Sequence, residues 1–555
     1  MKTVEKRWPE GAIVYHIYPR SFQDTSGDGV GDLQGVISRL DYLKSLSVTA
    51  IWLSPFYPSP MADFGYDISN YCDVDPIFGT LEDFKDLLAA AEQHEIKVMI
   101  DLVPNHTSTE HEWFKESRLS ALNEKADWYV WRDAAGKDKK GQILSPNNWR
   151  DNLTGGSAWQ WDENRKQFYL HSFDVRQPDL NWANPAVREA FKNVMRFWLD
   201  LGVDGFRVDA VSSMAKDPAL TDDDINPDFI EGEHSYYDAV IHNNSKFWPQ
   251  LYSYLSELSD VLKEEQYQNK FRFMVTEAYP DRQDSIFSYM MFYVGMDPAV
   301  AAPFNFEGVG LPWEAALWQR FLRRFYAALV EYSSLSVASN ALGNHDLPRL
   351  VTRMGDERAR SAAVMLMALP GMAFIYYGEE LGMENGHIPP ALIQDPAAKG
   401  HRNQSTGRDP ERTPMQWTPG KQAGFSTASQ TWLPVADNYL TRNVETESAS
   451  SDSFLSLYRS LGKLRSSSPA IKHGRMTVLE ANNEDVLMFE RSHGHEPRCI
   501  TCVNFSDQPA YCQLPNGTVN LAVSSTGRTE LDDAGGRLAL APYEAIILSV
   551  EEPQQ

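Results

Sequence analysis

The sequence predicts an α/β fold centred on a (β/α)8 barrel, with a small domain inserted after the third strand and an antiparallel β domain at the C-terminal end. Two observations carry that reading. From Val14 to about Glu380, short apolar runs ending in polar residues alternate with segments of helical period, the pattern of strand–helix units feeding one parallel sheet. After a helical stretch from about Phe454 to Leu464 the pattern becomes short alternating strands such as VLMFERS, CITCVNFS and EAIILSV, separated by Gly and Asp turns.

The apolar runs are IVYHIYP, VTAIWLSP, KVMIDLVPNH, DGFRVDAV, RFMVTEA, APFNF, SVASNALGNHD and GMAFIYYGEE, the eight that a closed barrel requires. Thr80 and Asp83 resemble a capping box ahead of Phe84, Leu87 and Ala91 on one helical face. Asn184-Pro185 opens a helix carrying Val187, Phe191, Val194 and Trp198, and Gly202 is placed to end it. Two intervals are too long for simple loops, Thr107 to about Arg176 and Ser212 to Asn269. The first, rich in Trp, Gly, Asn and Asp, reads as the inserted domain, and Gln394 to Gln430 reads as a long ordered loop. The expected limits are 1–106 with 177–470 for the barrel, 107–176 for the insertion and 471–555 for the β domain.

A chain of 555 residues can bury a large core. Its formal net charge of -25 argues against nucleic acid or an anionic membrane as partner, because a polyanion meets repulsion before contact. A neutral small molecule fits better, and the 12% aromatic content suits stacking on sugar faces. No secretion signal is evident at the start, and the most apolar stretch, Ala362 to Tyr377, is broken by Pro370-Gly371 and too short to span a bilayer. Cys72, Cys499, Cys502 and Cys512 are too few for a disulfide framework and read as plain buried thiols. The expected compartment is the cytoplasm. Oligomeric state leaves no mark in the sequence.

In such a barrel the active site lies at the carboxyl ends of the strands, so charged residues there are candidates for chemistry. Asp101 and His106 close the third run, Arg207 and Asp209 lie in the fourth, Glu277 ends the fifth, and His345-Asp346 ends the seventh. Singly, each carboxylate has a plain reading as a cap or an ion-pair partner. Together they supply what glycoside hydrolysis needs: a nucleophile, an acid/base and a group that grips sugar hydroxyls.

DLVPNH, GFRVDAV, VTEAY and ALGNHD resemble, in order and spacing, the four signature regions of glycoside hydrolase family 13, and QPDLN at Gln177 to Asn181 looks like its fifth. With DFGYD, RTPMQW and YYGEELGM, the similarity is to the α-glucosidase and oligoglucosidase branch and covers nearly all of the chain. The resemblance implies Asp209 as nucleophile, Glu277 as general acid/base and Asp346 as the carboxylate holding the 2- and 3-hydroxyls. Arg207, two residues before Asp209, can keep that nucleophile ionised. The same resemblance implies that His106 and His345 hydrogen-bond the glucose and Tyr66 stacks beneath it. It also implies that Asp63 and Arg412 grip its non-reducing end and that Phe173 forms an aromatic wall.

The resemblance thus implies a retaining, exo-acting α-glucosidase acting on maltose and short oligosaccharides, without an organic cofactor. A transglucosidase, or a glucoside isomerase or synthase with sucrose or trehalose as donor, is the alternative. Ala210, after the nucleophile, leans toward α-1,4 links, because relatives acting on α-1,6 bonds tend to have Val there. Many relatives read NNW followed by a phenylalanine directly before GGSAW, where this chain has Leu153-Thr154. A non-catalytic relation to membrane-anchored transporter heavy chains is disfavoured, because Asp209, Glu277 and Asp346 are all kept. Asp24, Ser26, Asp28, the Val30 carbonyl and Asp32 alternate as oxygen donors in DTSGDGVGD, and the loop resembles the branch's site for a structural Ca2+ or Mg2+. A metal-free Gly and Asx turn is the alternative.

Overall fold

The computed structural model describes residues 7–279, 285–400, 407–513, 516–531 and 536–551. The eight apolar runs form eight strands: β1 Ile13–Ile17, β2 Ala50–Leu53, β3 Lys97–Leu102, β4 Gly205–Val208, β5 Phe273–Thr276, β6 Ala301–Asn305, β7 Ser339–Ala341 and β8 Met372–Tyr376. They close into one parallel barrel in sequence order, with β8 pairing back on β1. Apart from Lys97, every strand residue is buried, because each strand has side chains in the barrel on one face and under the helical ring on the other.

The helices follow the expected signals. Thr80 and Asp83 cap Leu81–Gln93 reciprocally, with Phe84, Leu87 and Ala91 buried. Asn184 caps Pro185–Leu201, and Gly202 ends it at φ 115°, a left-handed conformation that glycine adopts without steric cost.

The stretch after β3 holds a three-stranded antiparallel sheet of Trp131–Arg132, Gln167–Leu170 and Trp159–Asp162, with its own small core around Trp149, Trp159 and Phe168. The second long interval supplies a short hairpin, Asp224–Ile225 with Val240–Ile241, and the helix Leu251–Val261. Its first part docks on the sheet region, where Trp149 Nε1 donates to Thr221 O at 2.9 Å and Asn148 Nδ2 to Asp223 O at 2.8 Å. The expected loop from Gln394 to Gln430 is not all irregular: Pro396–Gly400 is a short helix, and Asp409–Arg412 and Lys421–Gly424 are 3-10 turns. Residues 401–406 of that segment, and residues 1–6 of the start read for a secretion signal, lie outside the described residues.

Beyond the helix Phe454–Ser467 the described residues form seven strands: β9 Arg475–Leu479, β10 Val486–Ser492, β11 Arg498–Asn504, β12 Ala510–Gln513, β13 Thr518–Ser524, β14 Arg537–Leu540 and β15 Ala545–Glu551. Five form an antiparallel sheet in the order β9-β10-β11-β15-β13, and β12 pairs with β14. Cys499, Cys502 and Cys512 are buried free thiols here, whereas Cys72 is only half-buried. Among the described residues, no helix is long and apolar enough to cross a membrane.

Candidate active site

Strand register places the chemistry. Asp101 on β3 pairs directly with Arg207 on β4, so both side chains leave the same level of the barrel. One residue beyond the assigned strands the ladder continues: Asp209 N donates to Leu102 O and Glu277 N to Val208 O, each at 2.8 Å. Asp209 and Glu277 therefore stand on neighbouring strands at the carboxyl rim.

Arg207, 1% exposed, joins them. Its Nη1 donates to Asp101 Oδ1 at 2.8 Å and to Asp209 Oδ1 at 2.5 Å, and its Nη2 lies 3.0 Å from Glu277 Oε1. Ala210 takes the left-handed conformation at φ 48°, unusual for a residue with a Cβ, and its N–H donates to Glu277 Oε2 at 2.8 Å. Burial pushes the Asp209 carboxyl up, Arg207 pulls it down, and the negative charges of Glu277, Asp101 and Asp346 push it up again. Burial likewise raises Asp101, to about 6, against the pull of Arg207. Arg207 thus does not hold Asp209 ionised by an exclusive pairing, because one guanidinium serves three carboxylates.

Above this floor lies a cavity of about 320 Å³ lined by Asp63, Tyr66, His106, Phe173, Asp209, Glu277, His345 and Asp346, together with Asn152, Leu153, Ala210, Tyr279, Ala397 and Arg408. The rings of Tyr66 and His345 are parallel within 2° and joined by a 2.7 Å hydrogen bond. Phe173, half-buried, tilts against the His106 ring at 5.2 Å, so it is a wall of this cavity and not core packing. Gln177 Nε2 donates to Asp63 Oδ2 at 3.2 Å and meets His106 Nε2 at 3.1 Å. Beneath His106, Asn105 donates to Asp179 at 3.1 Å, and Asp179 takes the Lys216 ammonium at 2.8 Å.

A cluster of ion pairs stands in one wall of the cavity. Arg408 donates to Asp63 Oδ1 at 2.7 Å, to Asp346 Oδ1 at 3.1 Å and to Asp395 Oδ1 at 2.8 Å. Arg412, expected with Asp63 to grip the non-reducing end of the glucose, does not line the cavity: it is 0% exposed, and it donates to Asp346 Oδ1 and to His345 O, both at 2.8 Å. Burial opposes ionisation of Asp346, yet His345, Arg408, Arg412 and Arg207 hold its carboxyl below the usual range. The sequence reading missed Arg408 as a site residue. The only trace of it is its place four residues before Arg412, one 3-10 turn away in GRDPER.

The expected metal loop is closed by its own donors. Asp24 accepts from Ser26, Gly27, Gly29 and Ser426, and Asp28 from Val30 N. Asp32 spends both oxygens on Thr25, Ser26 and Gly35, capping the helix Leu33–Ser38. The donor types suit a hard cation, while both oxygens of Asp24 and both of Asp32 already accept hydrogen bonds. Among the described residues there is no group of three or more His, Cys, Asp or Glu side chains able to hold a metal.

Comparison with known proteins agrees with this geometry. The family model for the α-amylase catalytic domain matches residues 16–474, and that for the maltogenic amylase C-terminal domain matches residues 476–547. The chain is 40% identical to a probable α-glucosidase of Rhizobium meliloti over 92% of each chain, and 38% identical to maltase 1 of Drosophila virilis over 98% of this chain and 87% of that one. Among solved structures, the α-glucosyl transfer enzyme XgtA superposes with a TM-score of 0.87 at 37% identity, covering 99% of this chain and 100% of that one. The trehalulose synthase MutB of Pseudomonas mesoacidophila MX-45 gives 0.84 at 32% identity, over 98% and 99%. An eight-stranded barrel with three carboxylates at its rim and matching models across both of its parts leaves one assignment: the chain belongs to the α-amylase family, glycoside hydrolase family 13.

Proposed function

We propose that the protein is a retaining, exo-acting α-glucosidase that removes terminal non-reducing glucose from maltose and short oligosaccharides. The observation that carries this is the Asp63–Arg408 ion pair, which shuts the cavity behind Asp346 and admits a chain end but not a passing polymer. In the reaction, Asp209 attacks the anomeric carbon while Glu277 gives a proton to the departing glycosidic oxygen, forming a covalent glucosyl ester. Water then enters, loses a proton to Glu277 and breaks the ester, so two inversions return the α configuration. Asp346, ionised between two arginines, receives the 2- and 3-hydroxyls, with Tyr66 below the ring and His106 and His345 at its edge. Relatives named maltase and α-glucosidase support hydrolysis.

Discharge to a sugar instead of water is the second reading, favoured by the likeness to an enzyme named for α-glucosyl transfer and one named trehalulose synthase. Leu153 and Tyr279 line the same cavity, and an acceptor resting against them would meet the glucosyl ester. Ala210, small and beside the nucleophile, supports a preference for α-1,4 links. Time-resolved product analysis with maltose and with isomaltose tests all three points. Free glucose from maltose, with little from isomaltose, is the expected outcome. New glucosides as main products would replace hydrolysis by transfer, and no turnover of either sugar would remove the donor assignment.

A structural Ca2+ or Mg2+ at the loop of Asp24, Ser26, Asp28, Val30 and Asp32 is a further proposal, supported by the alternating oxygen donors. A chelator should then lower Tm by several degrees, reversibly on adding the ion. An unchanged Tm would leave the loop as a turn held by its own hydrogen bonds.

A further inference from the structure

A second cavity, larger than that of the active site, lies elsewhere in the molecule. It is a crevice of about 940 Å³ at the opposite end of the barrel, where Gly11, Val337–Ala338 and Pro370–Gly371 lead into β1, β7 and β8. Its other walls are the helix Ala315–Tyr332 and strands β9 and β10, so the crevice lies between the barrel and the C-terminal sheet. That volume is in the upper range of small-molecule pockets.

The charge of this crevice opposes that of the molecule. Five cationic side chains line it, Arg7, Arg323, Lys472, Arg475 and Arg491, against the single acid Glu10, in a chain of net charge -25. Three of the five are committed. Arg491 donates to Ala368 O and Gly474 O, Arg7 to Pro298 O, Ala299 O, Leu335 O and Glu10, and Arg323 pairs with Glu480. Lys472, half-buried, and Arg475, on the rim, have no hydrogen-bond or ion-pair partner for their head groups among the described residues. An ammonium and a planar guanidinium lining one crevice offer the two kinds of cationic donor that recognise a doubly charged oxyanion. The remaining wall is apolar, formed by Leu322, Tyr326, Met476 and Val478, and gives an organic body somewhere to lie.

We propose that this crevice is a second ligand site, taking a small phosphate-bearing organic molecule whose phosphate sits between Lys472 and Arg475 and whose body lies on Tyr326 and Met476. Such a ligand would touch the barrel and the C-terminal sheet at once and stabilise their union without entering the active site.

Calorimetric titration of the full chain with AMP, and separately with inorganic phosphate, tests it at ionic strength matched with chloride. The expected result is one site for AMP, weakened at least tenfold in the K472A/R475A variant and retained in the charge-preserving K472R/R475K variant. Maltose turnover should be unchanged in both variants, which also reports that they fold. Phosphate binding with the same loss would identify the oxyanion alone as sufficient, and AMP binding without phosphate binding would show that the organic body is required; either supports the site. Failure of both probes to bind, or binding that K472A/R475A leaves untouched, would overturn it.

Discussion

The floor and the closed end of the active-site cavity hold their carboxylates in opposite ways. At the floor, Asp101, Asp209 and Glu277 share the one guanidinium of Arg207, so negative charge exceeds positive in a buried place. At the closed end two arginines serve three carboxylates: Arg408 pairs with Asp63, Asp395 and Asp346, and Arg412 gives Asp346 a second partner, with His345 beside it. In the first arrangement burial and mutual repulsion push Asp101 and Asp209 up against the pull of the shared arginine. The second fixes a permanent negative charge, which gripping hydroxyls and steadying a positive sugar ring needs. A single fold reaches both states by changing only the ratio of arginines to acids.

The strongest way to break this comparison is at the floor. Asp209→Asn keeps the shape and the hydrogen bond to Arg207 but removes the attacking oxygen's charge, so kcat on maltose should fall by at least about 10⁴-fold with Tm little changed. Turnover within tenfold of the parent would remove Asp209 as nucleophile.

The contrast also marks how far the sequence could be read. Asp209, Glu277 and Asp346 were legible because each follows an apolar run, and strand periodicity puts the end of such a run at the barrel mouth. Capping signals placed the two helices at Thr80 and Asn184 for the same local reason. Arg408 was not legible, because it sits in a segment without periodicity, and which of two arginines reaches Asp63 is decided by the path of a 3-10 turn. The sharing of Arg207 was hidden as well. Spacing along β4 reveals the Arg207–Asp209 pair, but only the register between β3 and β4 brings in Asp101.

A smaller effect is expected at the closed end. Arg408→Met removes the partner of buried Asp63 and one of the two arginines on Asp346, leaving Arg412 in place. Stripping one member of a buried charge pair costs about 2–5 kcal/mol, so kcat/KM for maltose should drop by roughly 30- to 5,000-fold. If the ion pair is what shuts the cavity, a longer malto-oligosaccharide should then yield some products larger than glucose in the first cut. A variant releasing only glucose, with kcat/KM near the parent's, would show that another feature closes this end.

The smallest effect tests whether the floor works as a shared unit. Asp101 lies beneath the cavity and contacts Arg207, Trp52 and Tyr66, so it acts on the reaction only through those neighbours. Its negative charge helps push Asp209 up and competes for Arg207. Asp101→Asn removes both influences, so Asp209 should stay ionised to lower pH. The acid limb of kcat/KM should therefore move down by about half a unit to one unit, with a modest loss of kcat from altered positioning. A purely structural role would lower kcat and Tm while leaving the limb in place. An upward shift would mean that Asp101 aids ionisation of the nucleophile, contrary to the sharing of one arginine among three acids.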